Sequence, residues 1–297
     1  MGIRDRKDGA LYHRRPGQGS AGGLTVGMAE AGGQSKDRIG ARKTRDRAPR
    51  GRLRGGFAGV YERLIFYGVL GIFCVASLIW SLIADILYRV LPRRPGAAVG
   101  RFVICGGCRA GLGLMRITGL ARFQIAGLDA LSAEGPMVIA CNHLSLLDAV
   151  LITSRLPDAV CICKAGLWDN RLLGGTVRLA GYIRNDAPIP MMRAACRALR
   201  DGRQLVIFPE GTRSNGNGLA PFKPGFAAMA KIARVPVQTV LLGSNTPYLR
   251  RGWSLHRMPA FPLAYRARVG LRIGVSGDVR TAAEGLERYF AAELTST

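Results

Sequence analysis

The pattern of hydrophobic and polar residues divides the chain into three regions. Residues 1–55 are rich in glycine and arginine and have few aromatic or β-branched side chains. Residues 64–84 contain no charged side chain. Beyond Gly119, short apolar runs alternate with segments in which apolar residues recur every three or four positions. The pattern therefore predicts a basic tail, a membrane-anchoring helical segment and an α/β domain.

The basic tail, residues 1–55, cannot bury enough apolar surface to offset the entropy of ordering its backbone. We therefore predict that it is disordered. Met28 lies inside this tail, which leaves open the alternative that translation starts there and that residues 1–27 are not part of the protein.

The membrane-anchoring segment is predicted to cover residues 56–118. At about 1.5 Å of rise for each residue, a helix over residues 64–84 is long enough to cross a hydrocarbon core of about 30 Å. Arginines flank this helix on both sides, so the positive-inside rule gives no single orientation. A re-entrant or in-plane helical hairpin is the alternative to a spanning helix, with residues 97–116 as its second arm. That second arm could equally be an ordinary helix of the domain.

The α/β domain is predicted over residues 119–280, and a C-terminal helix or tail follows over residues 281–297. Because predicted strands alternate with predicted helices, we expect a sheet with helices packed on it. The predicted strands are residues 122–125, 137–140, 160–163, 182–183, 204–208, 235–242 and 267–275, and the predicted helices are residues 145–156, 168–179, 191–200 and 225–232.

Charge and composition narrow the possible partners. The 297-residue chain carries a net charge of +24, which favours phospholipid headgroups, phosphate-bearing substrates or nucleic acid as partners. Aromatic residues make up only 7% of the chain, and the sequence has no recognisable nucleic-acid-binding motif. We therefore expect membrane phospholipid, and no nucleic acid, as a partner. The three histidines leave little material for a histidine-based metal site, and no metal is expected.

The first candidate motif follows a predicted strand. Asn142 and His143 come directly after residues 137–140, and Asp148 lies five residues beyond the histidine. The carboxyl ends of strands are where open α/β sheets bind ligands. A carboxylate that holds one imidazole nitrogen leaves the other free to take a proton from a hydroxyl, so the spacing favours His143 and Asp148 as a general-base pair, with Ser145 as a helix cap. The alternative is a loop histidine beside a carboxylate that the helix dipole favours.

The second candidate motif, Phe-Pro-Glu-Gly-Thr-Arg-Ser at residues 208–214, follows another predicted strand. The amides of Gly211 and Thr212 can donate hydrogen bonds to an anion, and the guanidinium of Arg213 suits a phosphate. Glu210 would then orient Arg213 or accept a hydrogen bond from a substrate hydroxyl. A solvated turn with an incidental charge pair is the alternative.

Together the two motifs resemble the glycerolipid acyltransferase family, typified by bacterial 1-acylglycerol-3-phosphate acyltransferase. The family's first block, Asn-His-x4-Asp, is present as Asn142, His143 and Asp148, and its third block is complete at residues 208–214. Its fourth block, an apolar run around a proline, resembles residues 235–237. The resemblance covers roughly residues 120–275 and implies a mixed sheet flanked by helices, with an N-terminal membrane helix or helical hairpin.

The resemblance also implies roles for these residues. His143 would be the general base, with Asp148 as its partner, for attack of an acceptor hydroxyl on an acyl thioester. Glu210, Gly211 and Arg213 would bind the phosphate of the acceptor. A thioester is already activated, so no metal or other cofactor is implied.

Three further basic residues resemble positions that the family uses near the substrate. Lys164 follows the strand at residues 160–163, Lys223 follows the third block, and Arg184 lies in the segment that corresponds to the second block. For each lysine the alternative is a solvated surface side chain. In the second block, Ala187 stands where the family commonly has arginine, and Arg184 would point from the opposite face of a continuing strand. This departure puts lysophosphatidic acid in doubt as the acceptor.

The activity that the resemblance implies is transfer of a fatty acyl group from acyl-CoA or acyl-carrier protein to a hydroxyl of a lysophospholipid, with 1-acyl-sn-glycerol 3-phosphate as the first candidate acceptor. Another lysolipid, such as a lyso-ornithine lipid, is an alternative acceptor. A non-catalytic, membrane-tethered lipid-binding protein is an alternative of another class. The implied location is the bacterial inner (cytoplasmic) membrane, with the catalytic domain on the cytoplasmic face.

Overall fold

The computed structural model describes residues 57–214 and 218–295. The predicted disordered tail, residues 1–55, lies outside the described residues. The helices are α1 Phe57–Val90, α2 Arg93–Ile117, α3 Leu128–Leu131, α4 Leu146–Thr153, α5 Ala165–Trp168, α6 Gly174–Leu179, α7 Pro188–Arg200, α8 Gly225–Ala233 and α9 Val279–Thr295. The strands are β1 Ala121–Ala126, β2 Val138–Cys141, β3 Val160–Cys163, β4 Ile183–Arg184, β5 Leu205–Ile207, β6 Val237–Ser244 and β7 Leu263–Ile273.

The strands form one seven-stranded sheet in the order β1-β7-β6-β2-β5-β3-β4. At its centre, β2 pairs in parallel with both β5 and β6. Towards one edge, β3 pairs in parallel with β5 and β4. Strands β6 and β7 are antiparallel, so the sheet is mixed. The predicted α/β fold, a mixed sheet flanked by helices, is confirmed.

Both faces of the sheet are buried under helices. Along β2, Ile139 and Cys141 pack in the cluster that includes Leu151 of α4, whereas Val138 and Ala140 pack in the cluster that includes Phe226 of α8. This alternation is what the two-residue repeat of a strand requires. Burial on both faces explains why the central strands read as uninterrupted apolar runs.

The predicted helix over residues 168–179 is wrong, because the chain forms α5 and α6 with a turn between them. The side-chain oxygen of Asn170 accepts hydrogen bonds from the backbone amides of Leu172 and Leu173, at 2.8 and 2.9 Å. An asparagine that bonds its own neighbouring backbone competes with helical hydrogen bonding and ends the helix.

Helices α1 and α2 form a hairpin. Only Leu91 and Pro92 separate the two helices, and the ring of Phe73 in α1 lies 3.4 Å from the position that a Cβ at Gly111 of α2 would take. Both helices are long and apolar enough to cross a membrane, and only 11% and 22% of the residues in their most apolar windows are buried. Length and composition thus permit membrane insertion for both arms.

Helix α1 lies along the domain for much of its length. The Phe66 ring packs against Tyr248, with 6.0 Å between ring centroids. Further along, Gly175 of α6 approaches α1 so closely that a Cβ there would lie 2.2 Å from the carbonyl oxygen of Ser81. Asp85 pairs with Arg178 at 2.7 Å. The docked stretch from residue 66 to residue 85 is about 28 Å long at the helical rise, so one side of α1 faces the domain and the opposite side presents exposed apolar residues.

Candidate active site

The two sequence motifs meet at one edge of the sheet. Strands β2 and β5 are parallel neighbours, so their carboxyl ends lie side by side. His143 follows β2, and Glu210 follows β5. The loops after these two strands therefore form one site from segments that are distant in sequence.

In the first loop, Asp148 holds both the imidazole and the backbone of the bend. Its Oδ2 atom lies 3.1 Å from Nδ1 of His143 and accepts hydrogen bonds from the amides of Leu144 and Ser145, both at 2.6 Å. Ser145 caps α4, as the sequence predicts, by accepting from the amide of Leu147 at 3.0 Å. The side chain of Asp148 is fully buried, whereas that of His143 is 14% exposed. The carboxylate is therefore fixed, and the ring keeps access to the surface.

The imidazole of His143 is also held from its face. It stacks on Phe208, the first residue of the second motif, with 3.9 Å between ring centroids and 19° between ring planes. With Nδ1 directed at Asp148, the Nε2 atom has no hydrogen-bond partner within the described ranges 57–214 and 218–295. Donation from Nδ1 to the carboxylate sets Nε2 as the proton-accepting atom.

Asn142 fastens the point at which the chain leaves the sheet. Its Nδ2 donates to the carbonyl of Leu242 at 2.8 Å, and the amide of Leu242 donates to its Oδ1 at 2.7 Å. The backbone pairing of β2 with β6 ends one residue earlier, at Cys141. The amide side chain thus takes over pairing with β6 while the backbone turns towards His143.

Glu210 holds the backbone of the histidine loop and does not orient Arg213. Its Oε1 accepts from the amide of His143 at 2.7 Å, and its Oε2 accepts from the amide of Ala220 at 3.1 Å. Burial raises the pKa of Glu210, and these two amide donors oppose the rise. The amide of Ser214 donates to the carbonyl of His143 at 2.7 Å. Both backbone polar groups of His143 are therefore bound by the second motif, and the expectation that Glu210 orients Arg213 is wrong.

The remaining residues of the second motif form a turn beside the contacts of Glu210 and Ser214 with His143. The Gly211 amide donates to the carbonyl of Phe208 at 2.9 Å, so it is not free for an anion, contrary to the sequence-based expectation. Thr212 makes no hydrogen bond with the part of the chain that the structure describes. Nη1 of Arg213 donates to the carbonyls of Leu249 and Arg250, at 2.7 and 3.3 Å. Arg213 is thus held by the loop between β6 and β7.

Lys223 reaches the same turn. Its amide donates to the carbonyl of Pro209 at 2.9 Å. Its Nζ atom lies 3.0 Å from the position that a Cβ at Gly211 would take, and Gly211 has a φ of +70°. Glycine is therefore needed at position 211 both for the backbone conformation and for space. The structure places the Lys223 ammonium next to the second motif.

Lys164 and Arg184 lie on the β3–β4 side of the sheet. Lys164 is exposed at the start of α5. Arg184 pairs with Asp169 at 2.6 Å and with Asp186 at 2.5 Å. Its strand, β4, lies three positions from β2 in the sheet, or about 14 Å at the usual spacing of strands. Both residues make their contacts around the β3–β4 edge instead.

Arg250 is a candidate site residue that sequence analysis missed. It lies in the loop between β6 and β7, directly after Leu249, whose φ of +58° is a strained, left-handed conformation. Its Nε atom is buried with no hydrogen-bond partner within residues 57–214 and 218–295. Burial raises the pKa of Tyr265, and the positive charge of Arg250 opposes the rise. Since the Tyr265 hydroxyl lies 3.2 Å from Oγ of Ser145, Arg250 adds positive charge near the histidine loop.

The described residues offer no evident metal site. No group of three or more histidine, cysteine, aspartate or glutamate side chains that could hold a metal ion occurs within them. The two carboxylates of the site, Asp148 and Glu210, bind backbone amides. Oδ2 of Asp148 and both oxygens of Glu210 thus bind the loops, whereas Oδ1 of Asp148 is buried with no hydrogen-bond partner within residues 57–214 and 218–295.

Comparison with known proteins identifies the family. Residues 122–243, which contain both motif loops, match the acyltransferase family model. The 1-acyl-sn-glycerol-3-phosphate acyltransferase of Pseudomonas aeruginosa is 25% identical over 64% of this chain and 74% of that protein. The human 1-acyl-sn-glycerol-3-phosphate acyltransferase beta is 30% identical over 62% of this chain and 66% of that protein. The coconut (Cocos nucifera) 1-acyl-sn-glycerol-3-phosphate acyltransferase is 37% identical, but the match spans only 42% of its length and 41% of this chain.

A solved structure shares the fold. The 1-acyl-sn-glycerophosphate (LPA) acyltransferase PlsC from Thermotoga maritima superposes with a TM-score of 0.61 over 80% of this chain and 96% of that chain, at 18% sequence identity. The two motifs, the family match and the relatives agree with one another. Residues 122–243 therefore form a domain of the acyltransferase family.

Proposed function

We propose that this chain transfers a fatty acyl group from the thioester of acyl-CoA or acyl-carrier protein to a hydroxyl of 1-acyl-sn-glycerol 3-phosphate, giving phosphatidic acid. The observation that carries the proposal is the 3.1 Å contact between His143 Nδ1 and Asp148 Oδ2, in a loop braced by Glu210. The names of the relatives from Pseudomonas aeruginosa and human refer to the same acceptor.

The geometry supports a single general-base mechanism. The acceptor hydroxyl oxygen attacks the thioester carbonyl carbon while its proton passes to Nε2 of His143. The buried carboxylate of Asp148 stabilises the imidazolium that forms. The tetrahedral adduct then breaks its carbon–sulfur bond, and the thiolate leaves with the proton from His143. The reaction yields an ester and a free thiol, and the histidine returns to its neutral form.

Three cations support a phosphate on the acceptor. Arg213 has one guanidinium nitrogen bound to backbone carbonyls, which fixes the direction of the rest of the group. Lys223 lies at the same turn, and Arg250 adds its charge from the neighbouring loop. A phosphate bound by several such donors is held more strongly than by a single lysine or arginine. In this proposal, Arg213 and Arg250 compensate for the arginine that is missing at Ala187.

A different lysolipid, such as a lyso-ornithine lipid, is the alternative acceptor. The observation that favours it is Ala187, which caps α7 without a side chain that could reach a headgroup. In that case the chemistry at His143 is unchanged, and only the acceptor headgroup differs.

We further propose that the α1–α2 hairpin lies in the plane of the bacterial cytoplasmic membrane, with the domain on its cytoplasmic face. Supporting this, α1 docks on the domain from Phe66 to Asp85 while its other side exposes apolar residues. The turn after Val90 carries Arg93 and Arg94, and placing such charges in hydrocarbon is costly. A hairpin whose turn is charged is better suited to lying at one face of the membrane than to crossing it.

The test is an acyl-transfer assay on purified membranes with labelled acyl donor and a panel of lysolipids. We expect transfer to 1-acyl-sn-glycerol 3-phosphate, and we expect His143→Ala to lower kcat by about 10²- to 10⁴-fold, the usual contribution of general-base catalysis. His256→Ala is the matched control, because His256 is exposed and lies outside the site. If His143→Ala retains transfer, the mechanism is refuted; if wild-type membranes use only other lysolipids, the acceptor is wrong.

A further inference from the structure

A second candidate binding site lies away from the histidine loop. A groove of about 730 Å³ runs between the α1–α2 turn and α7, along the β4 edge of the sheet. None of its lining residues belongs to the Asn142–Asp148 loop or to residues 208–214. Nothing in the acyl-transfer mechanism described above uses this groove.

The groove carries an excess of positive charge. Its lining includes seven arginines but only two carboxylates, Asp186 and Asp201. Four of the arginines have acidic partners: Arg101 and Arg203 share Asp158, Arg178 pairs with Asp85, and Arg184 pairs with Asp169 and Asp186. These four are tied into the protein, and Arg101 is only 5% exposed.

The other three arginines are not neutralised. Arg93, Arg94 and Arg197 form no ion pair with any residue in the described ranges, and all three are exposed. They come from two elements that both line the groove, α2 and α7. Burial lowers the pKa of Arg203, and the nearby charges of Arg101 and Arg94 lower it further. The groove therefore concentrates positive charge that the protein itself does not balance.

The rest of the lining is apolar. Leu91, Leu179, Ile183 and Met191 contribute aliphatic walls, and the rings of Tyr88, Trp168 and Tyr182 lie among them. The hairpin that contributes Tyr88 and Leu91 to the groove also exposes apolar side chains outside it, which include Ile83, Ile86 and Val90 of α1 and Phe102 of α2. A ligand that fits this lining has an anionic group for the arginines and hydrocarbon for the walls and the hairpin.

We propose that this groove binds an anionic membrane phospholipid, with the lipid phosphate held by Arg93, Arg94 and Arg197 and the first part of its acyl chains against the apolar wall. Arginine suits phosphate because its planar guanidinium can donate two parallel hydrogen bonds. The bound lipid would fasten the hairpin turn to the membrane surface. This site is independent of acyl transfer, because its occupant is not consumed.

The test measures lipid binding by the full-length protein in a neutral detergent. Calorimetric titration compares dioctanoyl phosphatidylglycerol, dioctanoyl phosphatidylcholine and inorganic phosphate. We expect phosphatidylglycerol to bind and the other two to bind at least tenfold more weakly. Each juxtamembrane arginine contributes about fivefold to the affinity for anionic lipid, so the triple variant Arg93→Gln/Arg94→Gln/Arg197→Gln should weaken binding on the order of a hundredfold.

Two matched variants separate a built site from general surface charge. The control Arg122→Gln/Arg280→Gln/Arg288→Gln removes the same charge from exposed arginines outside the groove and should change the Kd less than threefold. The variant Arg93→Lys/Arg94→Lys/Arg197→Lys keeps the charge but loses the paired guanidinium donors, so it should bind more weakly than the wild type and more tightly than the glutamine variant. Unfolding midpoints of all variants should match the wild type, because the replaced side chains are exposed.

Three results would overturn the proposal. Equal weakening in the groove and control variants would mean that surface charge alone attracts the lipid. Binding of inorganic phosphate as tightly as phosphatidylglycerol would indicate a site for free anions. Displacement of the bound lipid by coenzyme A would assign the groove to the acyl donor.

Discussion

Glu210 provides the sharpest test of the active-site geometry. The family resemblance implies that it binds the acceptor phosphate, whereas in the structure it binds backbone amides. Its two carboxylate oxygens accept from the amides of His143 and Ala220, at 2.7 and 3.1 Å. In the Glu210→Gln variant, the single amide oxygen can accept from one of these donors, and the other donor then faces an NH₂ group. One hydrogen bond to a charged acceptor is lost, which costs about 1.5–3 kcal/mol. If the lost hydrogen bond destabilises the transition state by this amount, through the position of His143, kcat falls by roughly 10- to 150-fold.

Steady-state kinetics distinguishes the two possible roles. A residue that binds the acceptor phosphate acts mainly on KM for the acceptor, whereas a residue that positions His143 acts on kcat. We therefore expect Glu210→Gln to lower kcat while KM changes less than about threefold. Glu284→Gln is the control, because Glu284 is exposed on α9, and it should leave both constants unchanged. A large rise in KM with unchanged kcat in the Glu210 variant would refute the positioning role.

Three further predictions follow from the same contacts. Asn142→Ala removes both hydrogen bonds to Leu242 and should lower the free energy of unfolding by about 2–4 kcal/mol, measured by chemical denaturation, since each lost buried partner costs about 1–3 kcal/mol; an unchanged midpoint would contradict it. Gly175→Ala places a Cβ 2.2 Å from the carbonyl oxygen of Ser81 and should destabilise the docked hairpin by about 1–3 kcal/mol, whereas the control Gly106→Ala, which meets nothing within 4 Å, should not be destabilised. Burial raises the pKa of Glu210, so its contribution to stability is greatest below the ordinary glutamate pKa and is lost as the pH rises through the higher pKa of the folded state. Glu210→Gln should lack this decline when the free energy of unfolding is measured over a series of pH values. An identical decline in both proteins would contradict the prediction.

The sequence predicts the fold and the first motif well because the signals are local. The apolar run of β2, the Ser145 cap and the spacing from His143 to Asp148 all lie within a dozen residues. Short-range hydrogen bonding then determines the loop, as the shared contacts of Asp148 show. The error at α5 and α6 has a local origin too, because the Asn170 side chain interrupts a segment with helical periodicity.

The parts that the sequence did not predict depend on partners far away in the chain. Glu210 bonds to an amide 67 residues earlier, and Asn142 pairs with a residue 100 positions later. Neither contact leaves a periodic or spaced pattern in the sequence, because the partner is a backbone amide or carbonyl, which residues of almost every type carry. Arg250 was missed for the same reason, since its place near the site depends on how the loop between β6 and β7 folds back. Lys164 and Arg184 matched motif positions, but the strand order places them towards the edge of the sheet.

The brace around His143 also sets the order in which the site can form during synthesis. The histidine and Asp148 leave the ribosome first, yet the His143 amide has no acceptor until Glu210 follows 67 residues later. Asn142 must wait 100 residues for Leu242, and Ser145 must wait 120 residues for Tyr265. A nascent chain that ends before β7 therefore carries the complete first motif without its working conformation. The hairpin, which is made before the α/β domain, can meet the membrane before the domain is able to act on it.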